Sequence, residues 1–538
     1  MTTKITELNI DELRSLLGGD QELALLDVRE NGIYSRGHLF WAISAPLSQL
    51  EMRLGVLVPR KTVRVVLIDE GEASSEAQLA AQKMSKWGYT DVHILKGGMK
   101  AWAEAGLAIF SGVFVPSKAF GEYVEQTCHT PTVDSQTLSQ WLSEKRDVVI
   151  LDSRPYEEYQ RYAMPGGICC PGAELPYRVF ENVKNSQTTI VINCAGRTRG
   201  IIGTQSLVNT EIPNPIFYLD NGTAGWYLSG RQMVAGQTQF ASPPSLESLK
   251  KSNDAALRIA NQYNIKKIDG TTLQEFLADD QKTLFLLDVR QSYEYEAGHI
   301  KGSRNAPGGQ LIQSTDFYVG VKNARLVLID DNGIRARFTA AWLRQMGWQD
   351  LSVCLLGDAA ERLELVAEPE KAPLITSQPT NTPMIDAAEL KNLQNNDAPI
   401  VIFDLANSLT YRDGHIPGAI FVMRQRLQKE LGALPDHTEL ILTSPDGELA
   451  NWAFEDLTPS WKKHTRVLKG GTQAWIASGQ TLHANRDSIP EPCDDVYYGP
   501  YQVSDRIQGM RDYLKWEIDL FEDIRHEEHI QFNCRPEE

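Results

Sequence analysis

The sequence predicts an α/β chain built as one unit repeated four times, each unit a parallel sheet with helices on both faces. Three observations carry this. An apolar run ending in aspartate recurs as Leu25-Leu26-Asp27, Ile150-Leu151-Asp152, Leu286-Leu287-Asp288 and Ile402-Phe403-Asp404. A second apolar run ends at Asp69, Cys194, Asp330 and Ser444, 42 residues after the first in three units and 40 in the fourth. A helix-like stretch then leads to a glycine-rich segment closing on Trp102, Trp226 and Trp475, of which the third unit keeps only Gly357. A register held over four copies is the signature of an internal repeat. Short, continuously apolar runs fit strands buried on both faces, and their alternation with helical stretches predicts a covered parallel sheet.

The elements follow in order. Between the two strands stand Gly37-His38-Leu39, Gly298-His299-Ile300 and Gly414-His415-Ile416, each histidine 11 residues after its aspartate. These histidines recur in units without a cysteine, so they read as structural. The pattern assigns domains to 1–110, 132–240, 268–368 and 384–484, with a tail over 485–538. It lapses over 110–131, 241–267 and 369–383, which therefore read as linkers. In the tail, Met510, Leu514, Ile518, Phe521 and Ile524 at helical spacing predict an amphipathic helix packed on a domain.

Composition narrows the function. A net charge of −17 over 538 residues is spread along the chain, which argues against nucleic acid as a partner. No apolar run reaches the roughly 20 residues of a bilayer span, and the first residues lack a secretory core, so a cytoplasmic protein without a membrane partner is expected. Seven cysteines at irregular spacing in so large a chain are expected to be free thiols.

In open parallel sheets, sites form beyond the carboxyl ends of strands. The residue ending the second strand is a cysteine in one unit alone, within Cys194-Ala195-Gly196-Arg197-Thr198-Arg199-Gly200, which precedes the helical stretch Ile201 to Leu207. A helix N-terminus offers unpaired N–H groups and partial positive charge, which favour an anion and lower a thiol's pKa. Arg197 and Arg199 reinforce both effects, and Gly196 lets the backbone curl around one centre. Cys194 is thus the candidate nucleophile, with Ala195 to Arg199 as substrate-binding residues. A buried structural cysteine is the bland alternative, but it needs neither two arginines nor a glycine nearby.

In the order and spacing of the Asp-x-Arg strand end, the Gly-His-Ile segment, the six-residue loop and the Gly-Gly-x-x-Ala-Trp ending, nearly the whole chain resembles the rhodanese family. The resemblance implies four tandem rhodanese-like domains. It implies a thiosulfate sulfurtransferase in which Cys194 takes a sulfane sulfur as a persulfide and passes it to cyanide or a thiol, a protein acceptor included, without a cofactor. The loop departs from many members in placing Arg197 three residues after the cysteine, with Gly196 before it. The second unit also has Tyr162-Ala163-Met164-Pro165-Gly166-Gly167 where the others carry Gly-His. Two readings of other classes stay open. One is a Cys-dependent phosphatase or arsenate reductase, although the related phosphatase loops are one residue longer. The other is a multidomain scaffold, suggested by three units without the cysteine.

Lesser candidates complete the reading. Asp152 and Arg154 are expected to anchor the loop by hydrogen bonds. Cys169 and Cys170 could approach the loop as a sulfur relay or simply fill a strand end. Glu174 and Arg178 either line the pocket or pair at the surface. Ser444 lacks an evident base and reads as structural. His526 and His529 lack the spacing of a helical zinc motif, and no metal is assigned.

Overall fold

The computed structural model describes residues 5–71, 74–369, 373–396, 398–435, 438–484, 489 and 493–534. Four five-stranded parallel sheets form, one per unit, and all share one strand order. In the second unit the strands are β1 (Thr132–Val133), β2 (Val148–Asp152), β3 (Ile168–Cys169), β4 (Thr189–Asn193) and β5 (Ile216–Leu219). They lie in the order β1-β5-β4-β2-β3. Strand β4 is central, paired with β2 from Val148↔Thr189 to Asp152↔Asn193 and with β5 from Ile216↔Ile190 to Tyr218↔Ile192. Ile190, Val191 and Ile192 are fully buried, because each face of the strand meets a helical layer. Among the described residues, no helix is long and apolar enough to cross a membrane.

The recurring Gly-His segment has a structural explanation. His38 stacks on Tyr34 with ring centroids 3.9 Å apart, His299 on Tyr295 at 3.6 Å and His415 on Tyr411 at 3.8 Å. Each also pairs antiparallel with the chain that leaves its unit, at Phe110, Val366 and His483. The second unit makes the same pairing with Ala163 against Val234.

Six helices matter for the site: α1 (Val115–Cys128), α2 (Glu174–Asn182), α3 (Thr198–Val208), α4 (Leu246–Gln262), α5 (Ile334–Gln345) and α6 (Arg506–Asp523). Two of them replace expected linkers. Helix α1 lies within 110–131 and is buried on nearly every side, so its apolar residues show no one-sided pattern. Helix α4 lies within 241–267; Ser245 caps it by accepting from the Ser248 amide, and Ser252, Ala255, Ala256 and Ile259 form its buried stripe. That stripe packs on Ile334, Phe338 and Ala341 of α5.

The tail helix α6 forms as expected, with one difference. Its buried residues are Met510, Leu514, Glu517 and Leu520, whereas Ile518 is 46% exposed. Met510 and Leu514 pack on Ala224 of the second unit, and Leu520 and Ile524 on Phe40, Phe110, Val115 and Ala119. A glutamate thus takes an inward position of the apolar stripe.

Candidate functional site

Cys194 follows the last residue of β4, and α3 begins four residues later at Thr198. Two devices shape the connecting loop. Gly222 sits at φ +53°, where a side chain would put Cβ 2.3 Å from the Cys194 carbonyl oxygen, so only glycine admits this approach. The next amides then bind the loop, Thr223 donating to Cys194 O at 2.8 Å and Ala224 to Ala195 O at 3.0 Å. Below the loop, Arg154 donates to both oxygens of Asp152 at 2.9 and 2.7 Å and to the Tyr162 carbonyl at 2.6 Å. Asn193 donates to Asp152 at 3.1 Å, so this buried pair braces the strand end just before the cysteine, in line with the expected anchoring role.

The thiol is 2% exposed and donates to the Arg197 carbonyl at 3.6 Å. Burial pushes its pKa up, although Arg199, the Gly200 amide and Lys118 favour the thiolate; Glu517 opposes them. The expected low pKa is therefore corrected for this closed arrangement. Desolvation outweighs the helix terminus and the nearby cations.

The two loop arginines part company. Arg199 stays near the thiol, and its guanidinium donates to both Glu158 oxygens at 2.8 and 2.9 Å. Arg197 turns away instead. It donates to both oxygens of Glu122 at 2.8 and 2.9 Å, to Asp220 at 2.9 Å and to Glu125. Its side chain locks the loop to α1. Thr198 is also engaged, its hydroxyl donating to Glu517 Oε1 at 3.2 Å.

Lys118 of α1 and Glu517 of α6 are the residues that sequence reasoning missed. Lys118 Nζ lies 3.0 Å from Glu517 Oε1, and both side chains are buried. Tyr513 also donates to Glu517 Oε1, at 3.1 Å. A signal for Glu517 existed in the sequence, since it stands three residues from both Leu514 and Leu520 on the apolar stripe.

The other candidates are distributed as follows. Cys169 and Cys170 lie at β3, separated from β4 by β2, and burial pushes both thiols up, which gives a relay no support. Glu174 and Arg178, 2.5 Å apart, neither line this pocket nor pair at the surface. Glu174 is fully buried and accepts from Arg335 of the third unit at 2.9 Å. In that unit Asp330 stands where the cysteine would be, 3.0 Å from Arg335, and burial raises its pKa to about 7. In the fourth, the Ser444 hydroxyl accepts from the Ala450 amide at 3.3 Å in the first turn of the helix that follows, in line with a structural role.

Four copies of one parallel α/β unit, one of them presenting a cysteine in a short loop at a helix N-terminus, define a tandem array of rhodanese-like domains. The chain belongs to the rhodanese family, whose rhodanese-like domain model matches residues 9–105, 134–229, 271–358 and 386–478. Over 98% of its length it is similar to all of a thiosulfate sulfurtransferase from Pseudomonas aeruginosa of known crystal structure, at 39% identity and a TM-score of 0.91. Curated relatives match shorter stretches. A thiosulfate sulfurtransferase of Pseudomonas aeruginosa is 27% identical over 163 residues, which is 27% of this chain and 55% of that one. A tRNA uridine(34) hydroxylase of Buchnera aphidicola is 30% identical over 171 residues, 31% of this chain and 50% of that one. The chain thus spans about half the length of these curated relatives.

Proposed function

We propose that the protein is a rhodanese-type sulfurtransferase that works through a persulfide on Cys194, with thiosulfate or a similar donor and with cyanide or a thiol as acceptor. The observation that carries this is the Cys194 sulfur at the mouth of a parallel sheet, facing a helix N-terminus and a hydrogen bond from the Gly200 amide. The named sulfurtransferase relatives and the full-length likeness support the same reading.

In the first half-reaction the Cys194 thiolate attacks the sulfane sulfur of thiosulfate. The donor's S–S bond breaks, its electron pair leaves with sulfite, and a persulfide remains on the enzyme. In the second, the acceptor attacks the outer sulfur and the Cys194 thiolate leaves. Arg199 and the Gly200 amide stabilise the anionic sulfur in both states. Asp152, Arg154 and Arg197 hold the loop in position. The seven cysteines are all free, in keeping with a reducing cytoplasm. Mass spectrometry after thiosulfate treatment tests the reading: a gain of one sulfur on the Cys194 peptide is expected, and its absence refutes it.

A further inference from the structure

We propose that Lys118 binds the anionic group of the sulfur donor and that Glu517 is an internal anion holding that place until the donor displaces it. The identity of the donor, a small dianion with sulfonate-like oxygens, rests on the sulfurtransferase reading above; the displacement itself is a matter of charge.

The distribution of cations points to Lys118. Arg197 is fully engaged by Glu122, Glu125 and Asp220, and Arg199 by both oxygens of Glu158. Among the described residues, Lys118 has one ion-pair partner, Glu517. When Glu517 leaves, Lys118 becomes a buried ammonium within electrostatic reach of the Cys194 sulfur, with no hydrogen-bonded counter-charge and only the Glu158 carboxylate, already held by Arg199, acting on it from farther away. That is an anion site.

The carboxylate points to its own replacement. Glu517 is 1% exposed, and Oε1 takes all its hydrogen bonds, from Lys118, Thr198 and Tyr513. Oε2 is buried with no partner. It faces the loop, since a Cβ on Gly196 would lie 2.7 Å from it. A buried carboxylate oxygen left unpaired is costly, so this contact is weaker than its burial suggests. A dianion carrying three oxygens can take over the Lys118 and Thr198 hydrogens and still reach the loop, with twice the charge.

Displacement also opens the site. The same face of α6 covers the loop: a Cβ on Gly196 would lie 3.4 Å from Tyr513 and 3.6 Å from Leu514. Lys118 and Thr198 are the polar anchors that Glu517 gives this part of the helix, while Tyr513 orients the carboxylate from within α6. Losing them leaves this turn of α6 held over a thiol that is 2% exposed by apolar contacts alone, which loosens the cover, and removes a carboxylate that acts against the thiol's ionisation. Donor arrival, uncovering and thiol activation become one event, and without donor the nucleophile stays buried and protonated.

Two variants of the full chain test this: Glu517→Gln, which keeps shape and loses charge, and Lys118→Met, which keeps the apolar stem. The first readout is the rate of iodoacetamide labelling at Cys194, followed by peptide mass spectrometry without donor. Both variants break the latch; a rise of at least tenfold is expected in Glu517→Gln, and a smaller rise in Lys118→Met, which also loses a cation that favours the thiolate. The second is the affinity for thiosulfate and for sulfate, by calorimetry in a Cys194→Ser background. Glu517→Gln should bind both at least fivefold more tightly, and Lys118→Met at least tenfold more weakly. A purely structural pair would move both affinities the same way, and that result overturns the proposal, as does unchanged labelling in both variants. Neither readout needs turnover. Opposed sulfate affinities with no sulfur ever gained on Cys194 would refute the sulfurtransferase reading and leave this one standing.

Discussion

Replacing Arg197 with alanine separates a donor-binding arginine from one that holds the loop. The guanidinium is 5% exposed and makes paired hydrogen bonds to Glu122, itself 1% exposed, with Glu125 and Asp220 completing the cluster. Removal leaves the Glu122 carboxylate buried without its counter-charge, which typically costs about 3–5 kcal/mol. Asp220 is 38% exposed on its side chain and can rehydrate, so it adds little. At about 4 °C per kcal/mol for a unit of this size, the melting of the second unit should fall by on the order of 10–20 °C. Thermal melting and thiosulfate kinetics on the same variant form the assay. The expected result is a lowered melting temperature and a lowered kcat, with Glu122→Gln in the same chain restoring part of the stability. Unchanged melting with a raised KM would show that the side chain faces the donor and would refute the argument.

Other outcomes follow from the same geometry. Cys194→Ser should abolish sulfur transfer, and Asp330→Cys in that background should gain no sulfur on residue 330, because Glu174 and Arg335 fill that place; mass spectrometry of both peptides decides it. Gly222→Ala should remove activity and expose the loop to protease, since its Cβ cannot fit 2.3 Å from the Cys194 carbonyl oxygen. Arg199→Ala removes a cation that favours the thiolate, so the pH profile of Cys194 alkylation, read in an opened Glu517→Gln chain, should move to higher pH. Burial lowers the pKa of His38 from 6.5 to about 4, so the unfolded chain binds the proton more readily. Stability of the first unit should therefore fall by about 3 kcal/mol as pH drops from 6.5 to 4, and hydrogen exchange should show a shallower fall in His38→Phe.

The repeat, the sheet and the place of the cysteine were legible from the sequence for one reason. Strand burial and the Asp-x-Arg anchor are local, and the same short apolar run recurs wherever β4 and its counterparts lie between two helical layers. The loop was legible as well, because Cys194, Gly196 and Arg199 stand within six residues of one another. What 110–131 would do was not legible. A helix buried on all sides loses the one-sided pattern by which helices are recognised, and α1 falls outside the repeat. The roles of Arg197 and of the thiol depended on partners distant in sequence: Glu122 is 75 residues from Arg197, and Glu517 is 319 from Thr198. A sequence shows charges but not which of them meet, and pairing decides whether an arginine binds substrate or braces a loop. Burial likewise decides on which side of its ordinary value a thiol titrates. The sequence by itself thus determined the fold and the place of the cysteine at the end of its strand, through local patterns of burial. Only the tertiary structure decided that α1 and α6 close over Cys194, because desolvation and ion pairing arise from contacts between segments 75 and 319 residues apart.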